Sequence, residues 1–168
     1  DPGTFRAARQ RWCMNPTGAW DRETTEAFLR SETVPIRLSC RRPAGDLWML
    51  SLWFVYREGA LWCATSAAAD VVEYLRHDDR VAFEISTNEP PYKGVRGNGT
   101  ATVDPDPEKA LLRELLDRYL DGTDSPLAER LLSPAREEVR IRIEPQKVYT
   151  WDFSHRMRDS TPPDHTDS

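Results

Sequence analysis

The side chains able to do chemistry in this chain are few, and their spacing limits what they can do. Cys13, Cys40 and Cys63 are odd in number and form no C-x-x-C pair, which argues against a disulfide framework and against a thiolate zinc site. Cys40 and Cys63 end or interrupt apolar strand patterns, where a thiol acts as a small hydrophobe; catalysis is the lesser alternative. His77, His155 and His165 lie far apart and match no metal-ligand spacing, so no metal is expected. With no G-x-S-x-G elbow and no cysteine near a histidine signature, a serine or cysteine hydrolase is a distant reading. The stretch VRGNGTATVD places Gly97 and Gly99 inside an extended pattern. That points to a bulge, a bend, or a ligand lying against the backbone.

The elements that must position these groups form one domain. The 168 residues are enough for a real core and too few for two independent ones. An apolar fraction of 39% with six tryptophans indicates a globular chain, and the 30% of charged residues cover its surface. With 23 basic and 28 acidic residues the net charge is -5, and no stretch interleaves Lys and Arg with aromatics, so nucleic acid is not expected as a partner. No apolar run approaches the roughly 18 residues of a membrane span, and the first residues lack a signal-peptide core, so no membrane contact and a cytoplasmic location are expected.

Residues 1–20 are Arg-rich and show no sustained period, so they are expected to form an arm laid over the domain. Asp21 followed by acidic residues predicts a short helix to about Ser31, which completes an N-terminal region of 1–32. Residues 33–153 form the main domain. Val34, Ile36 and Leu38 alternate with polar neighbours, a strand with one buried face, and Pro35 places it at an edge or a strand start. Leu47 to Tyr56 is a nearly continuous apolar run, expected as one strand covered on both sides. A hairpin at Arg57-Glu58-Gly59 returns the chain as Ala60–Thr65, so the three strands are expected to form a meander. Ala67 to Leu75 has helical spacing behind Ser66 as candidate cap. Strands follow at Val81–Ser86 and Val95–Asp104. Pro107 is expected to open an amphipathic helix to about Leu120, with a short helix at about 127–132 and a last strand from Val139 to Tyr149. Residues 154–168 are polar and expected to be disordered. The sum is a mainly β, six-stranded antiparallel barrel with flanking helices, and the hairpin links exclude a doubly wound parallel sheet.

Three features in order, Gly45 leading into SLWFVY at 51–56, LWCATS at 61–66, and YKGVRGNGTA at 92–101, resemble the pyridoxamine 5'-phosphate oxidase-like split barrels, which bind FMN or the deazaflavin F420. The resemblance covers roughly residues 33–151 and implies a homodimer with flavin sites in the grooves between barrels. It implies that Met49, Leu50, Ser51, Leu52 and Trp53 line the ring, and that Ala64, Thr65 and Ser66 lead to the phosphate at the next helix. Where the oxidases carry a phosphate-gripping Ser-Arg-Lys triplet, this chain has Ala68-Ala69-Asp70, and basic residues of the second strand are replaced by Leu50 and Phe54. Arg96 is the candidate substitute, with Lys93 and Arg37 as weaker ones; an ion pair is the alternative for Arg96. Trp151 follows the last strand where the family brings an aromatic to the groove, although packing alone also explains it. The implied function is an FMN- or F420-dependent oxidoreductase acting on a small-molecule substrate. The alternative is a non-catalytic barrel that binds a flavin or haem.

Overall fold

The computed structural model describes residues 15–156. The expected arm and tail therefore fall largely outside the described residues, as does Cys13. Among those described, β1 (Thr17–Gly18) leads into α1 (Arg22–Ser31), β2 (Ile36–Arg41), β3 (Leu47–Leu52), β4 (Val55–Arg57) and β5 (Ala60–Ser66). Then come α2 (Asp70–His77), β6 (Arg80–Ser86), β7 (Lys93–Pro105), α3 (Ala110–Leu120), α4 (Pro126–Leu131) and β8 (Glu138–Asp152). The strands form one curled sheet in the order β3-β2-β6-β7-β8-β5-β4, antiparallel throughout except that β1 pairs parallel to β8. The mainly β class with flanking helices is as the alternation implied; the strands number eight because the Leu47–Tyr56 run is divided and Thr17–Gly18 adds a short one.

That division is the main correction. Leu47 to Leu52 pairs with β2 at one end of the sheet, whereas Val55 to Arg57 pairs with β5 at the other. Trp53 and Phe54 carry the chain between the two ends, so the expected meander is two hairpins on opposite edges. Nor is the run covered on both sides. Its residues Leu47 and Met49 are 68% and 65% exposed, on an edge strand whose outer face the described residues leave largely uncovered.

The core is built from the inward residues of each strand, including Ile36, Leu38, Phe83, Ile85, Val95, Ile141 and Ile143, closed by Val71, Val72 and Leu75 of α2. Helix α1 begins at Asp21, whose carboxylate accepts the Thr24 N–H; those bonds hold its pKa low. Two helix starts differ from expectation. Helix α2 begins at Asp70 with Ala69 as an N-cap lacking any side-chain bond, while Ser66 Oγ accepts from the Ala68 N–H and caps only the turn. Pro107 precedes α3 by a turn, and the carboxylate of Asp106 accepts the Leu111 N–H instead. Helix α4 is capped by Ser125, and α3 and α4 bury Leu112, Leu116 and Ala128 in a second small core against Trp53 and Ala64.

Of the three readings of Gly97 and Gly99, the bulge is the one observed, with a register shift between Asn98 and Gly99. Both glycines are needed because β8 approaches closely. An added Cβ would overlap the Lys147 carbonyl oxygen at Gly97 and that of Glu144 at Gly99.

Candidate functional site

One cavity of about 290 Å³ opens where β3 ends, beside β5 and under α3 and α4. Ser51 and Leu52 line it from the end of β3, Trp53 from the link that follows, and Ala64 and Thr65 from β5, which is not a sheet neighbour of β3. Leu112, Leu115 and Leu131 form the apolar roof, and Arg136 and Glu138 the polar end. The indole of Trp53 is stacked on the Tyr119 ring, with centroids 5.3 Å apart and planes 11° off parallel. Tyr119 holds that corner: its hydroxyl accepts from the Phe54 N–H at 3.2 Å and can donate to the carbonyls of Val34 or Phe54. Burial raises the Tyr119 pKa, with the Phe54 backbone bond and Arg118 pulling the other way. The phenol is thus kept as a neutral hydrogen-bonding group.

A second groove, of about 330 Å³, lies on the outer face of the sheet and is lined by Arg37, Met49, Ala82, Phe83, Arg96 and Gly97, among others. It adjoins the first through Ser51, whose hydroxyl accepts from Arg37 Nη1 at 3.0 Å. Antiparallel pairing creates this row, with Arg37 opposite Ser51 and Glu84, and Glu84 opposite Arg96. Arg96 forms an ion pair with Glu84 at 3.5 Å and lies over Trp151, 4.1 Å from the ring centroid. The ion pair expected as the alternative for Arg96 is thus observed, at the lining of this second groove.

The remaining candidates are dispersed. Leu50 points inward and packs on the core, as strand alternation requires of the residue between Met49 and Ser51. Ser66 is half-buried at the end of β5, and Lys93 lines a separate hollow with Thr87 to Pro91. Trp151 is buried and pairs across the ladder with Gly94. Among the described residues no three His, Cys, Asp or Glu side chains gather as a metal site. The thiols are held protonated, since burial raises Cys40 and pushes Cys63 up to about 12.

Arg136 and Glu138 were not singled out from the sequence. They lie in the polar run Ala135-Arg136-Glu137-Glu138, which has no motif to mark it. Only the pairing of Ser66 with Glu138 and Thr65 with Val139 brings them to the cavity. The parity of the last strand was the one available signal, because it sets Glu138 on the face opposite Val139 and Ile141. The first turn of α2 contains Asp70 and Glu73 and no base, so the helix start after Thr65 and Ser66 offers a phosphate no cation of its own.

The sequence profile described as pyridoxamine 5'-phosphate oxidase matches residues 21–150. No curated protein sequence matches significantly. Among solved structures, a conserved hypothetical protein from Mycobacterium tuberculosis is 22% identical with a TM-score of 0.65, over 80% of this chain and 86% of that one. An F420 reductase is 24% identical with a TM-score of 0.58, over 73% and 94%. A haem storage protein from Vibrio cholerae is 14% identical with a TM-score of 0.56, over 75% and 92%. At these identities the likeness is one of fold.

Proposed function

The chain belongs to the pyridoxamine 5'-phosphate oxidase-like family, and from that premise we propose that it binds FMN or F420 and acts as an oxidoreductase on a small molecule. One observation carries this reading: Ser51, Leu52, Trp53, Ala64 and Thr65, distant in sequence, converge on one mostly apolar cavity roofed by leucines. Its volume, about 290 Å³, is close to the lower bound of roughly 300 Å³ for small-molecule sites, and it continues past Ser51 toward Arg37 and Arg96. A flat ring is served by the apolar walls of Leu52, Trp53 and Leu112, which exclude water. The guanidiniums of Arg37 and Arg96 would hold the phosphate in place of the missing triplet. When bound, the cofactor supplies the hydride chemistry, and the protein supplies slot, orientation and electrostatics.

The exposed outer face of β3, with Leu47 and Met49, supports a homodimer in which a second barrel covers the Met49–Arg96 groove. Absence of a cationic triplet at Ala68-Ala69-Asp70 favours a non-catalytic binding barrel as second reading. For haem, however, the lining of the first cavity offers no His, Cys, Met or Tyr as axial ligand.

The test is the near-ultraviolet and visible absorbance of the purified protein, repeated after dialysis against FMN, F420 and haemin separately. Flavin or deazaflavin bands that remain with the protein, and bleach on reduction and substrate addition, support the oxidoreductase. A haem band alone, or a chromophore that never turns over with any electron acceptor, overturns it in favour of the binding barrel.

A further inference from the structure

Two buried charges support one guanidinium at the polar end of the Trp53 cavity. The Glu138 residue is 3% exposed; its Oε1 accepts from Arg136 Nε, while its Oε2 is buried with no hydrogen-bond partner among the described residues. Lys109 is 8% exposed and lies in the left-handed region at φ 57°, which a lysine adopts only at a cost. Its Nζ donates at 2.6 Å to the Ser133 carbonyl, which also accepts the Arg136 backbone N–H at 3.0 Å. A half-satisfied buried carboxylate and a buried ammonium on strained backbone are not what stability alone requires, since apolar side chains of similar volume cost less. Both act on Arg136, Glu138 through its guanidinium and Lys109 through the turn that carries it.

Arg136 is the group they leave available. Its side chain is 35% exposed and lines the cavity with Thr65, Leu112 and Leu131. Only Nε is committed, and Nη1 and Nη2 bond to none of the described residues. The Glu138 side chain has no exposed surface, so an entering group meets the guanidinium and not the carboxylate. A planar cation fixed in direction by its supports, at one end of an apolar cavity, matches an oxyanion through the two N–H groups of its Nη edge. We infer that Arg136 binds a carboxylate oxygen of the molecule that enters this cavity, with Glu138 and Lys109 as positioning residues. The assignment of that molecule as substrate rests on the flavin reading above. There the ring lies against Leu52, Trp53 and Leu112, its phosphate belongs to Arg37 and Arg96, and the anion at Arg136 is the substrate's. The substrate class is then a small organic acid with an apolar body.

The experiment is calorimetric titration of the full chain with 2-naphthoate and with 2-naphthamide, a neutral molecule of the same shape. Wild type, Arg136→Gln, Lys109→Met, the double variant and Arg96→Gln are compared, and FMN and F420 are titrated into the first two. Wild type should bind the acid at least about tenfold more tightly than the amide, the effect of one charge-assisted hydrogen bond. Arg136→Gln should reduce that preference to within about twofold and leave cofactor affinity unchanged within the same factor. Lys109→Met should lower the preference, and the double variant should fall no further than Arg136→Gln, because a positioning residue acts through the residue it holds. Equal binding of acid and amide by wild type, or binding of neither, overturns the proposal. So does a preference that survives Arg136→Gln and falls in Arg96→Gln, which places the anion in the second groove. Cofactor affinity that falls together with naphthoate affinity in Arg136→Gln assigns the anion to the cofactor's phosphate and overturns the substrate class. Failure of both cofactors to bind wild type, with the acid preference intact, overturns the flavin reading and leaves Arg136 as the oxyanion receptor. If Lys109→Met does not fold, the acid and amide comparison on wild type and Arg136→Gln decides the matter.

Discussion

Replacing Tyr119 by phenylalanine removes one oxygen atom from the corner where β3 gives way to β4. The hydroxyl accepts the Phe54 N–H at 3.2 Å and donates to one of two carbonyls, Val34 at 3.1 Å or Phe54 at 3.3 Å. A single hydroxyl hydrogen serves only one of them at a time, so two bonds are lost. Phe54 is fully buried, and its N–H loses this partner where water does not readily replace it. A net bond contributes about 0.5–1.5 kcal/mol and a buried orphan costs about 1–3 kcal/mol, which together give a destabilisation of roughly 2–3 kcal/mol. For a domain of this size that is a fall in Tm of about 4–10 °C. Urea denaturation of the two proteins measures it, the midpoint falling by about 1 M with the slope unchanged. The ring stack with Trp53 survives in the variant, so affinity for the bound chromophore should change by less than about twofold. A loss of stability under about 0.5 kcal/mol would refute the claim that this hydroxyl ties α3 to the strand crossover.

The same phenol sets an alkaline limit. Tyr119 and Tyr56, the latter donating to Glu26, both have pKa values raised by burial above the unfolded value of about 10. Their contribution is therefore complete below about pH 10 and is lost as pH rises toward the folded values; Tyr119→Phe should flatten stability against pH in that range, and an unchanged slope would contradict it. Arg96→Ala should raise the dissociation constant for FMN at least about tenfold, and an unchanged constant removes Arg96 from the phosphate site. Gly97→Ala should cost roughly 2–4 kcal/mol in urea denaturation, because its Cβ meets a backbone oxygen of β8 and lies 2.9 Å from the Phe83 ring. With Cys13 replaced by serine, the native protein should resist thiol reagents until unfolded, since Cys40 and Cys63 are buried and protonated.

Local pattern alone determined most of the elements of this protein. Alternation at Ile36–Leu38, Val81–Ile85 and Val139–Ile143 marks strands with one buried face, because a pleated backbone sends successive side chains to opposite sides. Asp21 marks a helix start through a bond made within one turn. The order of SLWFVY, LWCATS and YKGVRGNGTA pointed to the family that the profile match over residues 21–150 shows. What only the tertiary structure decided depends on pairing between segments far apart in the chain. Leu47–Tyr56 reads as one strand because both halves are apolar, yet Trp53 and Phe54 divide it between opposite edges of the sheet. Helix α2 starts four residues after Ser66 because Ser66 is still held in the ladder with Glu138. That rung also delivers the Arg136–Glu138 pair to Thr65 across about seventy residues of sequence. A polar run such as PAREE carries no local periodicity to announce this, since its role is set by the strand beside it and the helices above it.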